Sequence, residues 1–298
     1  MKIVLIGKDG QIGKSLFNIL KGRHEILPLG KKECNLLIKD EITSIFNNIK
    51  ADLVINSAAY TDVDKAESDK NRVFSINSDA VHIISSLTKK HNIPFINYST
   101  DYVFDGESNK KYSEEDIENP INIYGKSKLD SEENTKINDQ HIIIRTSSVF
   151  SLCGNNFINK IIDLAEKKDR LDIVDDQFIT PTSSEFISSV TDLLISYIEK
   201  YKNNDVYGTY HVVAGGSCSW YDYAKVIISE VLKNNYPVKT NLESIYAISS
   251  RDYNSIAKRP PNAVLSTNKI KSFLSVEIPK WENDVKSTIK GIIKRKIK

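Results

Sequence analysis

An apolar pentad that runs straight into a glycine-rich turn and then into a helical pattern leaves a chain few folds to adopt, and this chain begins that way. Lys2-Ile3-Val4-Leu5-Ile6 has the unbroken apolar character of a strand buried on both faces, as parallel strands are. It leads into Gly7-Lys8-Asp9-Gly10-Gln11-Ile12-Gly13, and the amphipathic Ser15-Leu16-Phe17-Asn18-Ile19-Leu20 follows. Strand, glycine turn and helix in that order suit a pyrophosphate. Glycines let the backbone approach it closely, and the free N–H groups and positive end of the helix hold its charge. Gly7, Gly10, Gln11, Ile12 and Gly13 are therefore candidate cofactor residues, although the spacing is G-x-x-G-x-x-G and a turn that merely closes a strand–helix unit is the alternative.

The same patterns recur down the first half. Glu25-Ile26-Leu27-Pro28-Leu29 reads as a second strand, Asp52-Leu53-Val54-Ile55-Asn56 as a third, residues 95–99 as a fourth and Ile142-Ile143-Ile144-Arg145 as a fifth. One long helix carrying Asp64, Ala66, Glu67, Val73, Ile76, Asn77, Ala80, Val81 and Ile84 is expected before the fourth. This alternation predicts an α/β protein on a Rossmann-type doubly wound parallel sheet. Past residue 150 the alternation is lost, apart from a helix at about 184–200 and a strand at Thr209-Tyr210-His211-Val212-Val213. The expected division is a cofactor domain at 1–150, to which 178–213 return, and a smaller C-terminal α/β substrate lobe from 151–177 and 214–298.

At the end of the second strand, where an NAD site usually carries an acidic residue for the ribose, stand Gly30-Lys31-Lys32. Cations at Lys31 and Lys32 suit a 2′-phosphate, so NADPH is expected, with NADH possible. Asn35 and Leu36 follow in a loop that could pass over the adenine. After the third strand, Ser57-Ala58-Ala59-Tyr60-Thr61 offers small residues beside which a cofactor can lie, and Ala59, Tyr60 and Thr61 are candidates for that contact.

Tyr124 and Lys128, four apart in Tyr124-Gly125-Lys126-Ser127-Lys128, share one face of a helix next to the strand end at Ser99 and Thr100. A phenol titrates near pH ~10, and a neighbouring ammonium favours its ionised form, which suits general acid–base work. Alone, the pair is better read as a solvated helix face; only the glycine turn upstream gives it weight.

Composition narrows the classes. The chain has 298 residues with a formal net charge of +2, and its only basic block is the tail Lys294-Arg295-Lys296-Ile297-Lys298, so no nucleic-acid partner is expected. Cys34, Cys153 and Cys218 are far apart and make no C-x-x-C, which points away from a zinc site or a disulfide framework. With no signal-peptide pattern and no run long enough for a bilayer, a cytoplasmic protein without a membrane partner is expected.

Taken in order, Gly7-x-x-Gly10-Gln11-x-Gly13, Val63-Asp64-Lys65-Ala66-Glu67, Ser99-Thr100-Asp101-Tyr102-Val103-Phe104-Asp105-Gly106 and Tyr124 to Lys128 make the chain resemble the extended short-chain dehydrogenase/reductases, and within them the dTDP-4-dehydrorhamnose reductase family. The likeness continues through Arg145-Thr146-Ser147, Asn155-Asn156-Phe157, Asp176-Gln177, Pro181-Thr182, Tyr210-His211, Ala214-Gly215-Gly216, Trp220 and Arg259-Pro260-x-Asn262, nearly the whole chain. The resemblance implies a nucleotide-sugar substrate and NAD(P)H lying along Gly10, Gln11 and Ile12 and past Ala59, Tyr60 and Thr61. It implies that Lys128 holds the nicotinamide ribose and lowers the Tyr124 pKa. Thr100, with Ser99, would bind the sugar oxygen at C4 while Tyr124 gives the proton. On the substrate side it implies Thr100, Asp101, Ser148, Asn155, Asn156, Trp220, Arg259 and Asn262, in a monomer or homodimer.

The chain departs from the family pattern in three places. Where it reads R-T-S-W-V-Y the chain has Arg145-Thr146-Ser147-Ser148-Val149-Phe150, which keeps another nucleoside-diphosphate 4-keto-6-deoxyhexose open as substrate. A first-helix glutamate that helps some members form a magnesium-linked dimer is Ser15, so no metal is expected even though Glu185 and Glu282 remain. Acidic residues after the second strand are Gly30 and Asn35. From a different class, a non-catalytic NADP-binding subunit like the regulatory subunit of methionine adenosyltransferase is the alternative; the intact Thr100, Tyr124 and Lys128 argue for an enzyme.

Overall fold

The computed structural model describes residues 1–48, 50–201 and 205–297; Lys298, the end of the basic tail, lies outside the described residues. Six parallel strands form the central sheet in the order Gly208–His211, His141–Thr146, Phe95–Thr100, Leu53–Asn56, Lys2–Ile6, Glu25–Leu29. Pro28 is tolerated because its strand is an edge. The order reverses beside Lys2–Ile6, and the register sets Ile6 opposite both Leu29 and Asn56. Gly7, Gly30 and Ser57 thus leave the sheet side by side, at the switch point where open α/β sheets bind ligands.

Side-chain alternation splits the first strand between two cores. Ile3 and Leu5 join Leu16 and Leu20 of helix Gln11–Leu20 and Ile187, Val190 and Leu194 of helix Ser184–Tyr201. Val4 and Ile6 join Ile42 of helix Lys39–Asn48 and Val81 and Ile84 of helix Ala80–Lys90. Over the middle of the sheet, next to Phe95–Thr100, lies helix Ile123–Thr135.

The long helix expected between the third and fourth strands is broken into Val63–Ala66, Lys70–Phe74, a π-helical turn at Ser75–Asp79 and Ala80–Lys90. Asn77, in the π turn, accepts the Tyr60 N–H at 2.7 Å and donates to the Tyr60 carbonyl at 3.1 Å and to Ser127 Oγ at 2.9 Å. The widened turn lets one amide clamp the loop after the third strand to helix Ile123–Thr135, a use typical of π turns near functional sites.

A second core gathers Ile158 and Ile162 of helix Phe157–Ala165, Ile227 and Val231 of helix Trp220–Lys233, and Val285 and Ile289 of helix Trp281–Lys296. Strands Leu171–Val174 and Ile245–Ile248 pair beside it. Its borders differ from the expected ones at two points. Phe178–Ile179 pairs with Cys218–Ser219 inside the second lobe, so the chain rejoins the first unit at Thr182–Ser183, which pairs with Val149–Phe150. Helix Asn268–Leu274 also lies against the first unit, because Ile270 and Phe273 are apolar enough to join Tyr197 and Tyr210 there.

Candidate active site

The glycine turn is built by close approach. Gly7 has φ +91°, and a Cβ on it would come within 2.6 Å of the Ala58 nitrogen; a Cβ on Gly13 would come within 2.1 Å of the Gly7 carbonyl oxygen. Gly13 therefore packs the helix against the turn and does not line the site. Helix Gln11–Leu20 starts at Gly10 without a side-chain cap and without an acidic residue in its first turn, so its N–H groups stay available to an anion.

These groups open on a cavity of about 560 Å³. Of the sequence-derived cofactor residues, Gly7, Gly10, Gln11, Ile12, Lys31, Asn35, Leu36, Ala59, Thr61, Tyr124 and Lys128 line it. Lys32 is exposed and outside the lining, and the backbone of Tyr60 is taken up by Asn77. Sequence reasoning missed three charged groups at this end, of which Asp9 lines the cavity from the glycine turn itself. Arg72 lines the cavity from helix Lys70–Phe74. Glu33 accepts from the Gly30 N–H at 2.8 Å and from Lys8 Nζ at 2.7 Å, contacts that hold its carboxylate below the usual range. The pattern signal for Glu33 was present, since it closes the turn after the second strand, but the adjacent lysines masked it.

Tyr98, Ser99, Tyr124 and Lys128 form the opposite end of the same cavity. Tyr124 and Lys128 stand one helical turn apart on helix Ile123–Thr135, which Asn122 caps by accepting the Gly125 N–H at 2.7 Å. A Cβ on Gly125 would meet the Tyr102 carbonyl oxygen at 2.2 Å, so only glycine lets this turn sit against the end of the fourth strand. The Tyr124 phenol stands beside Thr100, and its ring meets Tyr102 edge-on with centroids 5.9 Å apart. Burial pushes the phenol up to about 12; Thr100 pulls it down and the Asp101 charge pushes it up. Burial outweighs the lowering expected from Lys128, so the net shift of the phenol is upward. The Lys128 ammonium is turned to the Tyr98 carbonyl oxygen at 2.6 Å, and burial pushes its pKa down to about 8 against the upward pull of Glu132. Neutral water-facing behaviour is thus denied to both groups: at pH ~7 the phenol holds its proton and the lysine its charge.

Behind them runs a buried ionic seam. Glu132 accepts from Arg145 Nε at 2.9 Å and Nη2 at 2.6 Å and from Ser99 Oγ at 2.5 Å, and Arg145 also pairs with Glu118. Asn97 donates to Ser131 at 3.0 Å and to Thr135 at 2.8 Å and accepts from Asn56 at 3.0 Å, stitching two strands to the helix.

The expected substrate residues are dispersed. Asn155 lines the cavity. Thr100 and Asp101 are buried at the strand end, and Asp101 accepts hydroxyls from Thr100 at 2.8 Å and Ser147 at 2.6 Å, so its carboxylate is occupied within the protein. Asn156 caps helix Phe157–Ala165 and donates to Gln11 and to the Ser151 carbonyl, which makes it a structural residue here. Asn262 is likewise spent on the Ser108 and Lys110 carbonyls. Trp220 packs on Phe157 at 4.6 Å, and Arg259 pairs with Asp64 at 2.7 Å. Ser148 occupies the left-handed region at φ +42°, a strained conformation for a residue with a Cβ. Among the described residues no His, Cys, Asp and Glu cluster could hold a metal, and no helix is long and apolar enough to cross a membrane.

Comparison with known proteins agrees with this architecture. The family model described as RmlD substrate binding domain matches residues 1–293. A dTDP-4-dehydrorhamnose reductase of Aggregatibacter actinomycetemcomitans is 37% identical over 291 residues, covering 96% of this chain and 97% of the relative. The chain belongs to the dTDP-4-dehydrorhamnose reductase family. Among its solved members, the reductase of Clostridium acetobutylicum superposes with a TM-score of 0.89 at 30% identity, over 97% of this chain and 99% of that one. The Bacillus anthracis reductase, solved in complex with NADP, gives 0.87 at 29% identity, over 96% and 98%.

Proposed function

We propose that this chain is an NAD(P)H-dependent reductase that converts the C4 ketone of dTDP-4-dehydro-L-rhamnose to the alcohol of dTDP-L-rhamnose, using NADPH. The observation that carries the reading is a single cavity with an uncapped helix start and glycine turn at one end and Tyr124 and Lys128 at the other. That separation suits an elongated dinucleotide, and the turn has no room for a Cβ at Gly7. The N–H groups at Gly10, Gln11 and Ile12 would hold the pyrophosphate, Ala59 and Thr61 the middle of the cofactor, and Lys31 and Arg72 a 2′-phosphate. Bound nicotinamide supplies the hydride. Tyr124 donates a proton to the developing alkoxide, a base strong enough to take it from a phenol near 12. Thr100 hydrogen-bonds that oxygen, and the Lys128 charge offsets the phenolate left behind.

The test is direct. Purified protein, NADPH and enzymatically generated dTDP-4-dehydro-L-rhamnose should oxidise the cofactor and yield dTDP-L-rhamnose, identified by NMR of the C4 proton. Reduction of a different 4-ketosugar nucleotide in preference would reassign the substrate. Binding of NADPH with no reduction across a panel of such sugars would replace the enzyme reading with the regulatory-subunit one.

A further inference from the structure

Asp101 is a buried carboxyl one bond from the Thr100–Tyr124 pair, and the steps above make no use of it. Its Oδ1 meets Thr100 Oγ1 at 2.8 Å and its Oδ2 meets Ser147 Oγ at 2.6 Å. Thr100 Oγ1 has one hydrogen and two lone pairs. One lone pair already receives the Tyr102 N–H at 3.2 Å. What remains is divided between Asp101 and Tyr124, and the division depends on which partner donates.

With Asp101 ionised, the Thr100 hydrogen must go to the carboxylate, which can only accept. The remaining lone pair then takes the Tyr124 O–H, and neither hydroxyl presents a hydrogen to a ketone. With Asp101 neutral, its own O–H donates to Thr100 Oγ1, while Ser147 Oγ–H occupies the other oxygen. The Thr100 hydrogen is then released towards Tyr124 and the substrate oxygen, and every donor in the row points the way a reduction needs. We propose that Asp101 is a positioning residue that sets the donor direction of Thr100, and that the reductase works with Asp101 neutral. This rests on the ketosugar-reductase reading given above.

The surroundings agree. The strand end contributes Thr100 and the segment after His141–Thr146 contributes Ser147, both uncharged. The titratable groups facing Asp101 are Tyr124 from helix Ile123–Thr135 and Tyr102 from its own turn, with the Arg259 guanidinium set behind Tyr102. Burial dominates, pushing the carboxyl up to about 6, and the hydroxyl and backbone N–H contacts offset it only in part.

Asp101→Asn separates the possibilities, because the amide N–H donates to Thr100 as the neutral acid would, its oxygen still accepts from Ser147, and it does not titrate. Wild-type kcat/KM for the sugar nucleotide at saturating NADPH should fall in two steps as pH rises, one from Asp101 and one from Lys128 near 8. The variant should lose the lower step and exceed wild type by about thirtyfold at pH ~7.5, where only about 3% of a carboxyl at about 6 is still neutral. An unchanged two-step profile, or a folded, NADPH-binding variant without turnover at any pH, overturns the proposal. A second readout does not depend on turnover: the infrared difference spectrum of wild type minus Asp101→Asn should show the C=O stretch of one protonated carboxyl at pH ~5 that is gone by pH ~7.5. Its absence from wild type overturns the proposal even if no ketosugar is reduced. Wild type without turnover but with that band would instead count against the reductase reading alone.

Discussion

Helix Gln11–Leu20 meets the sheet through Leu16 and Leu20 and packs on helix Ser184–Tyr201, whereas helix Ile123–Thr135 meets it through Ser127, Lys128, Ser131, Glu132 and Thr135, all buried. The first contact is non-directional: apolar area leaves water and small rotations of the helix change little. Hydrogen bonds such as those of Asn97, Arg145 and Asn77 fix rotation and height together. The apolar helix has only to present backbone N–H groups at its start. The polar one has to aim a phenol and an ammonium, and an error near 1 Å in such groups is costly to rate. A buried polar seam is no more stabilising than an apolar one of the same shape, so its use here follows from aim and not from strength.

Breaking the aimed group itself should give the largest effect. Tyr124→Phe should lower turnover by ~10²–10⁴-fold with folding and cofactor affinity kept, because only the acidic O–H is lost. Turnover near wild type would remove Tyr124 from the mechanism. Lys128→Met should weaken both turnover and cofactor affinity, measured by single-turnover kinetics and fluorescence titration.

Glu132→Ala should cost about 3–5 kcal/mol in urea unfolding, since it leaves the Arg145 guanidinium buried with Glu118 as its remaining carboxylate partner. Glu132→Leu with Arg145→Met should restore most of that stability while turnover stays low. Recovery of both together would show that the seam holds the fold and aims nothing. On the apolar side, Leu16→Ala should cost about 2–5 kcal/mol and leave turnover per folded molecule unchanged.

The same contrast decided what could be read from sequence. Helix Gln11–Leu20, the first strand and the glycine turn announce themselves through apolar period and glycine spacing, so the fold and the cofactor end were legible. Helix Ile123–Thr135 carries no such stripe: its buried face is serine, lysine, glutamate and threonine, which any pattern reading assigns to solvent. Only the Tyr124–Lys128 spacing marked it. The clamp of Asn262 and the pairing of Arg259 with Asp64 depend on partners 154 and 195 positions away, and the capping of Asn156 on a local turn, and composition carries no trace of them. Asp101 lies next to a recognised motif residue, and the hydrogen bonding of both its oxygens becomes visible only once Ser147 arrives from the segment after His141–Thr146.

The smallest effect is also the one that separates the two regions by pH. Burial sets the Asp101 carboxyl at about 6 in the folded chain against an ordinary value of 3.8. Between those values the native state holds a proton that the unfolded chain has released, so its contribution to stability is present in acid and is lost as pH rises through about 6. The two-unit difference bounds the loss at about 3 kcal/mol. Lys128 has the opposite sign in a higher window: its folded value of about 8 lies below 10.5, so stability rises with pH between them. Asp101→Asn removes the first dependence and leaves the second. Measured by urea unfolding, the variant should gain on wild type at pH ~7.5 and lose that gain at pH ~4.5, while the Leu16→Ala deficit stays the same at both. A gain for Asp101→Asn that does not change between those pH values would mean that the carboxyl does not titrate there, and the polar contact would then be as indifferent to pH as the apolar one.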